Sequence, residues 1–114
     1  MTDLEITKLC AEAMGYENPR VTKTFNGDEF ITYGPLDSAV LPQYWPLQYD
    51  PQCFAMVKKL RLDIEPCFSG DDGAWMVSTW LPDNNGRTNK HTNSNLNRAI
   101  CECVAKMQQA KSGR

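Results

Sequence analysis

The chain has 114 residues, enough for one domain with a single core and too few for two independent ones. Its 41% hydrophobic and 10% aromatic content belongs to a folding chain, and seven glycines and seven prolines, well dispersed, argue against low complexity or disorder. Twelve Lys and Arg against fourteen Asp and Glu leave a formal net charge of -2, which argues against an electrostatic grip on nucleic acid, since that needs clustered cations.

Thr2 and Glu5 have the spacing of a capping box, and Ile6, Leu9, Cys10 and Ala13 recur on one helical face until Gly15 offers a left-handed stop. This predicts a first helix over Asp3 to Met14. In "RVTKTFNGDEFITY" the Asn26-Gly27 pair suits a two-residue turn, so a hairpin is expected that pairs Phe25 with Asp28 and puts Val21, Phe25 and Phe30 on one face. Gly34 to Tyr49 carries three prolines and three large aromatics without a period, and reads as a long loop.

Asp50-Pro51 is a helix entry, with the carboxylate as cap and the proline in the first turn. The second helix follows through "PQCFAMVKKL", burying Cys53, Met56, Val57 and Leu60 with Phe54 beside them. "LRLDIEPCFSG" alternates, with Leu60, Leu62, Ile64 and Phe68 on one side, and predicts a half-buried strand. Ser69 to Gly73 is turn material, and "AWMVSTWL" completes a hairpin in which Trp75, Val77 and Leu81 share the core face if Trp80 is half exposed, the opposite register being nearly as apolar. Pro82 to Asn95 is almost wholly polar and reads as an exposed connection ending in a helix cap at Asn93 to Asn95.

The closing segment, "LNRAICECVAKM", places Leu96, Ala99, Ile100, Cys103, Val104 and Met107 on one stripe, with Cys101 at its flank. Residues two apart on a helix project about 200° apart, so Cys101 and Cys103 do not form a metal pair. Five cysteines, odd in number and spread along the chain, are read as thiols without a bridge. His91, the one histidine, falls in the polar connection and reads as a solvated loop residue. Asp71-Asp72 lacks the further oxygens of a calcium loop, and there is no phosphate loop or nucleophile elbow. No catalytic residue, cofactor or metal is expected.

Tyr44, Trp45 and Tyr49 are the candidates for a contact surface, because Tyr and Trp combine apolar area with a polar tip. The alternative is that Trp45 and Leu47 fold back over the sheet, and the same choice applies to Trp80. No run approaches the roughly 20 apolar residues of a membrane span, and "MTDLEITK" lacks the order of a secretory signal, so a cytoplasmic protein is expected.

Three blocks, "ITKLCAEAMGY", "YDPQCFAMVKKLRLDIEP" and "LNRAICECVAKM", together make the chain resemble the phage ABA sandwich domain family of small bacteriophage proteins. Tyr49, Asp50 and Pro51 depart from the family's usual text. The resemblance implies an α+β fold, a three-layer α-β-α sandwich, and agrees with three amphipathic helices around an antiparallel sheet of about four strands. It also implies a phage source, hence the host bacterial cytoplasm, and no reaction. The leading expectation is therefore an accessory protein that binds a host protein or ribonucleoprotein complex, such as an inhibitor of CRISPR or another antiviral defence. Its candidate contact residues are Tyr44, Trp45, Tyr49, Trp80, Arg87 and Lys90. A second expectation is an oligomeric sponge for a nucleotide signal, in which Trp45, Trp80 and Tyr44 stack a base while Arg61, Arg87 or Lys90 meets phosphate. A third is a small enzyme using His91. Oligomeric state stays open, a homodimer among the options.

Overall fold

The computed structural model describes residues 1–37, 42–67, 73–79 and 90–111. Helix α1, Asp3–Ala13, begins at its expected cap: the Thr2 hydroxyl accepts the Glu5 backbone N–H at 3.2 Å. The Glu5 carboxylate returns to that hydroxyl at 3.3 Å, not to the backbone N–H of a full capping box. Gly15, at φ +78°, ends the helix, and Lys59 Nζ donates to the Met14 carbonyl, covering an end that the helix itself leaves unpaired.

Strands β1 (Arg20–Lys23), β2 (Glu29–Thr32) and β3 (Gln43–Tyr44) form an antiparallel sheet in that order. The register is one residue from the expected one. Thr24 and Asp28 close the loop, Thr24 N–H donating to Asp28 O at 2.8 Å, so Gly27 at φ +93° ends a three-residue turn. A one-residue slip exchanges faces. Val21, Ile31 and Tyr44 therefore line up across the sheet, with Ile31 and Tyr44 in the core, while Phe25 stands fully exposed at the turn. The expected long loop from Gly34 to Tyr49 thus contains a short strand, since Tyr44 pairs with Ile31 and Gln43 with Thr32.

Helix α2 spans Asp50–Leu60 and ends at Arg61 in the left-handed region. Its predicted cap is different in detail: Asp50 makes no cap bond but accepts from Asn97 Nδ2 at 2.8 Å, tying α2 to the helix that closes the chain. Strands β4 (Leu62–Cys67), β5 (Ala74–Thr79) and β6 (Lys90–Asn93) make a second antiparallel sheet, ordered β4-β5-β6. Ile64, Val77 and His91 share one face, and the complete burial of Val77 decides the register that the sequence leaves open. Of the stretch read as a plain connection, Pro82 to Asn95, residues 82–89 lie outside the described residues, and β6 corrects the reading at Lys90–Asn93, whose polar text pairs with β5 from Trp75 to Ser78. Phe68, Asp71, Asp72 and Leu81 lie outside the described residues.

Helix α3, Leu96–Lys111, has its expected cap, with Asn95 Oδ1 accepting the Arg98 N–H at 3.0 Å. It packs on α1, α2, β5 and β6, while α1 also covers β1 and β2. The chain is thus α+β, and among the described residues there are three amphipathic helices and, in place of a single sheet of about four strands, two sheets of three. Contact on several sides also explains why Cys101, expected at a flank, is as fully buried as Cys103.

Near α1 the core is aromatic. Tyr16 stacks on Tyr33 with ring centroids 4.3 Å apart, and Tyr44 meets both edge-on at 5.3 and 6.1 Å. Such pairs contribute about 0.5–1.5 kcal/mol each beyond burial.

Candidate aromatic contact surface

The turn after β3 separates inward from outward residues. Pro46 is fully buried and Leu47 packs on the core, while Trp45 and Tyr49 are each 45% exposed. Backbone bonds from Gln48 N–H and Tyr49 N–H to Trp45 O, at 3.0 and 3.1 Å, set the turn. Gln52 on α2 then holds it from the side: its Oε1 accepts the Trp45 N–H at 2.8 Å, and its Nε2 donates to Gln43 O at 3.0 Å. The two exposed rings lie 5.9 Å apart and 31° from parallel. Leu47 therefore folds onto the core, as one of the two readings of this segment had it, but Trp45 does not.

Beside Trp45 is a groove of about 190 Å³ between the first turns of α1 and the end of the first sheet. Leu4, Ile31, Tyr44 and Leu47 give it an apolar floor, with Asp3 and Glu29 at its edge. Among the described residues lining it, two are carboxylates and none is basic.

Of the six residues expected at a contact surface, the structure brings Trp45 and Tyr49 together. Tyr44 is corrected to a core residue, 1% exposed, because cross-strand pairing with Ile31 turns it inward. Lys90 is exposed on β6 in the other sheet and does not line the groove. Trp80 and Arg87 lie outside the described residues. Asp3, Glu29 and Gln52 were not singled out by sequence reasoning. Gln52 had one usable signal, its position on the first turn of a helix that follows the aromatic segment directly.

His91 is not a solvated loop residue. It lies on β6 and pairs through Nε2 with Glu102 on α3, whose other oxygen accepts from Arg98 Nε at 2.7 Å. Arg98 also reaches Asp3 at 2.9 Å, so one chain of polar side-chain contacts ties β6, α3 and α1. Bonds to Asp3 and Glu102 raise the Arg98 pKa, keeping the guanidinium charged. The arrangement orients His91 as a structural tie.

Three helices contribute thiols to the core, Cys10 from α1, Cys53 from α2, and Cys101 and Cys103 from α3. Cys101 lies within hydrogen-bonding reach of Cys10 and Cys53, and Cys10 Sγ donates to the Cys101 carbonyl at 3.3 Å. Contact with Cys101 and then burial push the Cys53 thiol up, and contact with Cys10 and burial do the same for Cys101, against an opposing bond from Cys53. Such thiols stay protonated and unreactive. Among the described residues no three His, Cys, Asp or Glu side chains are grouped to hold a metal ion, and no helix is long and apolar enough to cross a membrane.

The Tyr44 hydroxyl is buried near these thiols and has no hydrogen-bond partner among the described residues. Burial, followed by the neighbouring Cys10, Tyr16, Cys101 and Cys53, raises its pKa. An unsatisfied buried hydroxyl destabilises, so Tyr44→Phe, which keeps the ring, is expected to raise the unfolding free energy by about 1 kcal/mol. Guanidinium denaturation measures this, and a loss of stability would show that the hydroxyl is bonded.

Comparison of the chain with protein-family models and with curated proteins finds no match to either.

Proposed function

We propose that the protein is a binding module whose contact surface is the Trp45–Tyr49 pair. The observation that carries this reading is the hold of Gln52 on the backbone of Trp45, which fixes the turn carrying two half-exposed aromatic rings. Preorganised aromatics lose little entropy on binding and are enriched among residues that dominate interface energies. We further propose a phage accessory protein that binds a host protein or ribonucleoprotein complex in the bacterial cytoplasm and inhibits an antiviral defence. That part rests on the resemblance of "ITKLCAEAMGY", "YDPQCFAMVKKLRLDIEP" and "LNRAICECVAKM" to phage ABA sandwich proteins.

A nucleotide sponge has less support. A groove of about 190 Å³ is below the 300–1,000 Å³ usual for small-molecule pockets, and phosphate would meet Asp3 and Glu29 there.

The test is capture from bacterial lysate on the immobilised protein, at several salt concentrations, beside a Trp45→Ala/Tyr49→Ala double variant. Wild type is expected to retain a specific protein, and the double variant to bind it at least about 30-fold more weakly, the effect of losing one hot spot. Both side chains lie at the surface and the Trp45 backbone bond survives truncation, so circular dichroism should show an unchanged fold. Recovery of no specific protein, or equal recovery by both, would sink the reading.

A further inference from the structure

We infer that the groove beside Trp45 receives an arginine side chain of the partner protein. The inference rests on the binding reading above and names the chemistry that the surface selects.

Volume decides first. About 190 Å³ is too little for a nucleotide or drug-sized ligand but suits one extended side chain. The floor, with Leu4, Ile31 and Leu47, is apolar and matches the methylene stem of a long side chain. Charge decides next. The edge carries Asp3 and Glu29, and no described lining residue is basic, so the groove favours a cation and opposes carboxylate or phosphate.

The two acids are not equivalent. Asp3 is already paired with Arg98 at 2.9 Å, whereas Glu29 stands on the exposed end of β2, opposite Lys23, with no ion pair between them. Glu29 is therefore the carboxylate that an incoming cation engages. Trp45, which also lines the groove, supplies an indole, and a flat guanidinium suits both groups: it stacks on an aromatic face and forks to a carboxylate, as an ammonium does not. Gln43 and Gln48, both exposed, add polar atoms at the edge for the remaining N–H groups.

The experiment titrates the isotope-labelled protein with two acetylated, amidated pentapeptides, Gly-Ser-Arg-Ser-Gly and the same peptide with citrulline for arginine. Citrulline keeps the shape and removes the charge. The arginine peptide is expected to shift the Trp45 indole and Glu29 amide signals saturably, and the citrulline peptide to shift them at least about fivefold more weakly, the factor for ~1 kcal/mol of exposed ion pairing. Glu29→Gln should weaken the arginine peptide by a similar factor while the rest of the spectrum is retained. Equal effects of both peptides, or no saturable shift of these signals, would overturn the inference. A partner lost on Trp45→Ala/Tyr49→Ala together with a silent groove would leave the binding reading standing and remove only this assignment. A responsive groove with a partner indifferent to the double variant would remove the reading itself, and this assignment with it.

Discussion

Ile100→Ala is expected to lower the unfolding free energy by about 2–5 kcal/mol. Ile100 is fully buried on α3, the helix that touches α1, α2, β5 and β6, so no neighbour can close the cavity without disturbing a second contact. Against the roughly 5–15 kcal/mol that a domain has in total, this would leave a marginal fold. Urea denaturation should show the midpoint falling with little change in slope. Lys106→Ala on the exposed side of the same helix should stay within about 0.5 kcal/mol. Similar values for the two would mean that α3 is not the centre of the core.

The second large effect is alkaline loss of stability. Burial, opposed by Lys106, pushes the Cys103 thiol from its ordinary 9.0 up to about 11, and the Cys53, Cys101 and Tyr44 groups move in the same direction. In the folded protein these acids hold their protons longer than in the unfolded chain. Their contribution is therefore fully present below the ordinary thiol value of 9.0 and is lost as pH rises through the folded value of about 11. Cys103 alone accounts for on the order of 3 kcal/mol. Unfolding free energies taken in steps between about pH 8 and pH 11 should stay flat at first and then fall, and Cys103→Ala should fall less steeply. A profile that stays flat to the upper end would show that the thiols are not sealed from water.

Legibility in the sequence differed by kind of element. The Thr2 and Asn95 caps, the Gly15 stop and the apolar stripe of α3 act within a few residues, and each is where the local text placed it. β6 was not legible. Its text, "KHTN", has no apolar residue, and its strand character comes from backbone pairing with β5. β3 is hidden for the same reason, a two-residue strand inside a proline-rich segment that pairs with β2. The β1–β2 register turned on one detail, whether Gly27 closes a two-residue or a three-residue loop, and that detail exchanged the inward and outward faces.

The candidate site divides along the same line. Trp45 and Tyr49 are visible in the sequence as aromatics in an irregular stretch, but Tyr44 looks the same there and is core. Which of the three points outward depends on the strand pairing of Tyr44 and on Gln52 reaching back from α2. The groove assembles Leu4, Glu29, Ile31 and Leu47 from separate parts of the chain, so no local pattern marks it. His91 shows the limit most plainly: its partner Glu102 is on another element, and only folding brings the two together. The sequence by itself determined the three helices, the caps that open α1 and α3, the Gly15 stop and the α+β class, because caps and 3.6-residue periodicity are short-range. The tertiary structure alone decided how many strands there are, which face of each sheet is buried and which side chains meet, because backbone pairing and charge contacts depend on neighbours that are distant in the chain.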